Sequence, residues 1–262
     1  MSTLRDFWVR AALVVSLLIP VYFAVAALGT KFGLLDWTVG FVAMTYRWGT
    51  PLLLAGGALA LVGLLLALFV TPRRGAGLAV LALLIPAAGI GYGLHVRSQA
   101  AAVPPIHDIS TDLVDPPVFS QAVEQARAQI NNHNSLDLLD KRAGDGRSFA
   151  ELQREAYPDI ASIPTGLSQS RAFEIALALA REQEWEMGVV DAAGGAIEAT
   201  ARSFWYGFTD DIVVRVRADG SGARVDMRSV SRVGRSDLGA NAARMRPFLT
   251  ELRRRLEEAE GG

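Results

Sequence analysis

Cysteine is absent from all 262 residues. That excludes disulfides, thiolate nucleophiles and zinc–thiolate sites, and it fits either redox compartment. Histidine is scarce too, with only His95, His107 and His133. Acids are rare in the first 97 residues, where Asp6 and Asp36 face seven basic residues for a net +5. The remainder carries 19 basic and 25 acidic residues, a net −6, so the total of −1 conceals blocks of opposite sign. Within that remainder, residues 228–255 hold eight arginines against Asp237 and Glu251. This last block is the plausible anion-attracting surface. A chain of this length has room for one membrane region and one modest soluble domain.

Residues 1–97 read as the membrane region. Val9 to Leu28 is free of charge apart from Arg10 at its start and is long enough to span a bilayer as a helix, as are Pro51–Val70 and Ala76–Val96. The spacing predicts spans at about 9–28, 51–70 and 76–96. The basic loop Arg73–Arg74 and the flanking Arg5 and Arg10 place that end in the cytoplasm by the positive-inside rule. Three spans then deliver the rest of the chain to the periplasm of a bacterium, with the protein multi-pass in the inner membrane. The first span has a second reading as a cleavable signal, since Ala24-Val25-Ala26 resembles a cleavage site; its length favours an anchor. Residues 31–49 leave too short an uncharged run to cross, and Trp37, Tyr46 and Trp48 suit an interfacial helix. A crossing there would put the domain in the cytoplasm. The span interiors hold no ionisable group, which argues against a transport path. Gly56, Gly57, Gly63, Gly89, Gly91 and Gly93 suggest close helix packing.

Residues 98–118 contain Pro104, Pro105, Pro116 and Pro117 and read as an extended linker. His107, Asp108 and Asp112 are a weak metal pattern with no fourth ligand, better suited to turn capping, so no metal and no cofactor is assigned. The domain proper is expected over 119–257. Short helices are expected over Phe119–Ile130 and Phe149–Ala156, and a longer one from an N-cap at Ser168. The period then changes to two: Trp185, Met187 and Val189; Ile197, Ala199 and Ala201; Ile212, Val214 and Val216; Val225 and Met227. Asp219-Gly220-Ser221-Gly222 is a hairpin turn. Met245, Phe248, Leu249, Leu252 and Leu256 form the stripe of a final helix. The expected fold class is α+β: N-terminal transmembrane helices, then a four-stranded antiparallel sheet with two long helices packed on one face. The other face, with Glu198, Arg202, Arg215, Arg217, Arg224, Asp226 and Arg228, is either solvated or a binding platform, and the pattern favours solvent.

Ile106–Asp112 (IHDISTD), Ile197–Thr200 (IEAT), Gly207–Val216 (GFTDDIVVRV) and Val225–Met245 (VDMRSVSRVGRSDLGANAARM) carry a resemblance. Over roughly 104–257 the chain resembles the domain-of-unknown-function 1499 family. Members of that family are found in bacteria, with related proteins in photosynthetic eukaryotes, and many are exported or membrane-attached; no activity defines the family.

The stretch from Arg228 to Arg244 concentrates the polar chemistry. Ser236 or Asp237 can cap the last helix, whose first amides favour an anion. Arg228, Arg232, Arg235, Ser236, Asn241 and Arg244 then form a candidate site for a phosphate or lipid headgroup, since guanidinium forks bind such groups bidentately. The competing reading is internal: Asp210, Asp211, Asp226 and Asp237 pair with these arginines and lock the helix to the sheet edge. A protein–protein or scaffold module at the membrane, with a membrane-protein partner, is an alternative reading. A hydrolase acting on an envelope substrate is another, but no nucleophile elbow, phosphate loop or metal-helix motif is found, which leans against an enzyme. Nothing in the chain points to nucleic acid.

Overall fold

The computed structural model describes residues 2–261 and divides into two units: residues up to Gln99 together with Phe204–Gly207, and the rest of the chain. In the first unit, three helices are each long and apolar enough to cross a membrane: α1 (Ser2–Lys31), α2 (Gly49–Phe69) and α3 (Ala76–Ala101). Small residues set their spacing. Ala12, Ala60 and Ala82, one from each helix, form a buried cluster, and a Cβ on Gly63 would lie 3.6 Å from the Val9 backbone. Close packing of this kind is how helices associate where no water drives them together. Gly91 and Gly93 face open space instead. Between α1 and α2 lies a π-type helix of ten residues, Thr38–Arg47. Even at 1.5 Å per residue it reaches only about 15 Å, half of a bilayer core. Arg5 donates to the Val70 carbonyl, so the start of α1 and the end of α2 lie at the same end of the bundle.

The second unit is an antiparallel sheet with helices on both faces. Its strands are β1 (Asp108–Ser110), β2 (Ile163–Thr165), β3 (Glu186–Asp191), β4 (Ala196–Arg202), β5 (Thr209–Asp219) and β6 (Gly222–Ser231). The order is β1-β6-β5-β4-β3, with β2 beside β1 on the same edge of β6. There are six strands rather than the four expected. The two additional ones are three residues long, too short to show alternation, and β2 contains Pro164, which only an edge strand tolerates. Part of the expected linker is therefore a strand. A bulge interrupts β3 between Met187 and Val190.

Helices α6 (Gln169–Glu182) and α7 (Ala240–Gly261) pack on one face and build the main core with Ile197, Ile212, Val214, Val225 and Met227. The shorter α4 (Gln121–Ala128) and α5 (Phe149–Ala156) precede them. In α5, Ser148 and Glu151 form a reciprocal capping box, which satisfies two otherwise orphan amides.

The opposite face departs from the expectation of a solvated surface. Phe119, Val213 and Val230 form a second buried cluster there, with Val123 of α4 and Leu136 packed against it. Glu198, Asp211, Asp226 and Arg228 are all buried. A polar segment can cover a charged face only if the charges beneath it are neutralised or hydrogen-bonded, and here they are. Glu198 accepts from the Ser120 amide (2.5 Å) and hydroxyl (2.6 Å) at the start of α4.

Candidate functional site

Strand alternation decides where the polar stretch goes. On β6, Met227, Ser229 and Ser231 point toward α6 and α7, while Asp226, Arg228 and Val230 point to the covered face. The six candidate anion-binding residues are therefore divided by the sheet. Asn241 and Arg244 lie on the helix side. Arg228 and Arg232 lie on the covered side. Arg235 and Ser236 sit in the turn before α7; Arg235 is exposed, and among the described residues it has no ion-pair partner.

On the helix side the groups satisfy one another. Arg244 pairs with Asp210 at 2.6 Å and donates to Ser229 Oγ (3.0 Å) and Asn241 Oδ1 (2.8 Å). Asn241 Nδ2 in turn reaches Ser231 Oγ and the His107 carbonyl. Asp237 occupies the start of α7, accepting from the amides of Gly239 (2.8 Å) and Asn241 (3.0 Å). The helix end thus holds an anion of its own. Burial pushes the Asp237 carboxyl up, against the lowering effect of these hydrogen bonds.

On the covered side, two networks differ in balance. At one end, Asp226 lies among Arg215 (2.9 Å), Arg217 and Arg224, joined by Asp112 and Asp115, and the hydroxyl of Ser162 donates to it. Three carboxylates meet three guanidiniums.

At the other end, Asp108 and Asp211 flank Val230 in register, one on each side. Asp108 takes a two-pronged contact from Arg228 (2.9 and 2.8 Å) and a third from Lys141 Nζ (2.6 Å). Asp211 takes Arg127 Nη1 (2.5 Å) and Arg232 (2.7 Å). Four cations thus share two carboxylates, a surplus of two positive charges. Backbone carbonyls solvate part of it: Pro117 and Leu136 accept from Arg228, and Asn134 and Ser231 from Arg127. Burial by itself raises the Asp108 carboxyl, but Arg228 and Lys141 hold it below the usual carboxylate range. For Arg127 and Lys141, burial lowers the pKa further than their carboxylate partners restore it. His107, beside this cluster, is lowered to about 4 by burial and then by the charge of Lys141. It is neutral at physiological pH, and its Nε2 has no partner.

A cleft of about 490 Å³ opens onto this end, lined by Phe119, Arg127, Asn134, Leu136 and Arg228, with Glu124 and Asp137 among its other lining residues. Arg127 is 1 % exposed, and its Nε makes no hydrogen bond. The sequence reading missed Arg127 and Lys141. Arg127 lies on the helix expected over Phe119–Ile130 and Lys141 in an irregular stretch, and only their pairing with Asp211 and Asp108 marks them. Asp108 falls in the IHDISTD motif, a signal that was available.

Among the described residues no cluster of histidine and carboxylate side chains suits a metal ion. The chain belongs to the family described as "Protein of unknown function (DUF1499)", whose model matches residues 108–252. The resemblance seen in the motifs is therefore borne out, and the match begins at the buried Asp108. No curated protein matches the chain.

Proposed function

We propose that this is a membrane-anchored, non-catalytic domain that binds an anion of phosphate or carboxylate type in the cleft beside Arg127 and Arg228. The observation that carries this reading is the four-to-two ratio of cations to carboxylates in the network around Asp108 and Asp211, two of whose cations, Arg127 and Arg228, are buried and line the cleft. Unbalanced charge out of water is costly, and a bound anion offsets it. Arg127 Nε is an unused donor at the same place. The main carboxylates of the domain are held by arginines, which removes them as general bases and speaks against hydrolysis. In this reading the ligand is reached on the covered face, and the Arg244–Asn241 network on the helix side is structural.

The anchor is placed in a bacterial cytoplasmic membrane, with the basic end of the bundle inside and the domain on the far side. Arg5 beside Val70 and the Arg73–Arg74 loop at that end support this orientation. A reporter fused after Arg97 tests it, and a cytoplasmic signal would overturn it.

The binding test uses the full chain in a neutral detergent, titrated with inorganic phosphate, then with glycerol 3-phosphate, then with nanodiscs containing anionic phospholipid. A ligand at one hundred times its Kd stabilises the folded state by about 2.7 kcal/mol, so the melting temperature should rise. A response to free phosphate points to a soluble ligand; a response confined to nanodiscs points to a headgroup. In Arg127→Met, Asp211 keeps Arg232 and the fold survives, but the response should disappear. No response to any of the three, or an unchanged one in Arg127→Met, sinks the proposal.

A further inference from the structure

Strand β5 has turns of opposite character at its two ends. The turn into β6, Gly220–Ser221, is polar and glycine-based, with Gly220 at φ +59°. The turn from β4, Phe204-Trp205-Tyr206-Gly207, is aromatic, and these four residues group with the membrane-spanning unit. Within that unit, Tyr206 Oη lies 2.7 Å from Thr45 Oγ1 in the π-type helix, and its ring meets Phe41 edge-on at 5.1 Å. Lys31, at the end of α1, holds its ammonium 4.6 Å from the centroid of Phe204, a cation–π contact.

Phe204 and Trp205 themselves stay 72 % and 59 % exposed. They touch each other edge-on at 5.0 Å, so they form one apolar patch. Side chains of this size each remove 150–250 Å² from water when buried, and here most of that area is unused. Their setting narrows the occupant. Lys31 marks the end of a membrane span, and Tyr46 and Trp48 of the same unit are exposed as well. Amphipathic aromatics beside a lysine at the end of a span are the composition of a membrane–water interface.

We propose that Phe204 and Trp205 form an interfacial lipid anchor, seated at the boundary between headgroups and acyl chains, with the bilayer surface as their partner. The Tyr206–Thr45 contact and the Lys31–Phe204 contact fix the loop at that depth. The loop would then be a membrane contact additional to the three spans.

The absence of cysteine makes the test direct, because one introduced thiol carries one label. Phe204→Cys and Trp205→Cys change exposed side chains, and Ser221→Cys at the polar turn is the reference. Each full-length variant is labelled with a nitroxide in nanodiscs of zwitterionic phosphatidylcholine. Power saturation then compares collisions with oxygen, which partitions into lipid, and with a water-soluble nickel chelate. The oxygen-to-nickel ratio should be several-fold higher at 204 and 205 than at 221. A ratio equal to that at 221 overturns the proposal. Shielding from both relaxants also overturns it, because the patch would then be buried against protein.

Discussion

The two ends of the covered sheet face hold the same residue types in different proportions. Around Asp226, three guanidiniums meet three carboxylates; around Asp108 and Asp211, four cations meet two. Both ends are arginine-rich and both centre on fully buried carboxylates, Asp226 at one and Asp108 and Asp211 at the other. Only the first has as many carboxylates as cations. The second leans on backbone carbonyls and opens to a cleft. Richness in arginine is therefore a poor guide to a binding site, and imbalance is a better one.

The comparison can be broken most severely at its balanced end. Asp226→Asn removes a carboxylate that is 0 % exposed and leaves its arginines without their central partner. It should cost about 3–5 kcal/mol, read as a lower midpoint in denaturant unfolding of the detergent-solubilised chain. A loss under about 1 kcal/mol would show that the balance there is unimportant.

Acid should act at the other end, through His107. The unfolded histidine binds a proton below its ordinary pKa of 6.5, and the folded one only near 4. The unfolded state therefore holds more protons in that window, and stability falls as pH drops through it. The slope should approach 1.4 kcal/mol per pH unit, amounting to roughly 3 kcal/mol by pH 4. Measured between pH 6.5 and 5, before most carboxylates titrate, the slope should flatten in His107→Gln. An unchanged slope would assign the acid sensitivity to other groups.

Lys141→Met removes one of the surplus cations while Asp108 keeps both prongs of Arg228. The expected change in stability is below about 1 kcal/mol, in contrast to the loss at Asp226. A loss of about 3 kcal/mol or more would mean that Lys141 is required rather than in excess. The smallest effect is expected at Arg235, which is exposed and lies outside both networks. Arg235→Ala should shift stability by no more than about 0.5 kcal/mol, and a larger shift would reopen the turn before α7 as part of the site.

Much of the architecture was legible because it is periodic. The spans follow from apolar length, the long strands from alternation around Ile212 and Val225, and α7 from the stripe Met245–Leu256. The helix expected over Phe149–Ala156 is present with those bounds, two residues before Pro158. What escaped has no period. β1 and β2 have three residues each. The helix expected over Phe119–Ile130 is present as α4; what its sequence does not show is that it lies over the second sheet face. The candidate site was legible in its residue types and not in its geometry. Arg228 and Ser229 are neighbours in the chain, yet a strand sends them to opposite faces. Asp108 and Asp211 are about a hundred positions apart, and only the pairing of β1, β6 and β5 brings them to either side of Val230.

The buried contact between Lys141 and Asp108 has a consequence for chemical reactivity. Lys31 and Lys141 are the only lysines in the chain, and the Lys141 side chain is 10 % exposed. An ammonium held against a carboxylate is a poor nucleophile until the pair separates. Acylating reagents should therefore find no ready side-chain amine in the folded domain. The rate at which Lys141 becomes labelled would then time the opening of the sheet's covered face, residue-specifically and without any engineered probe.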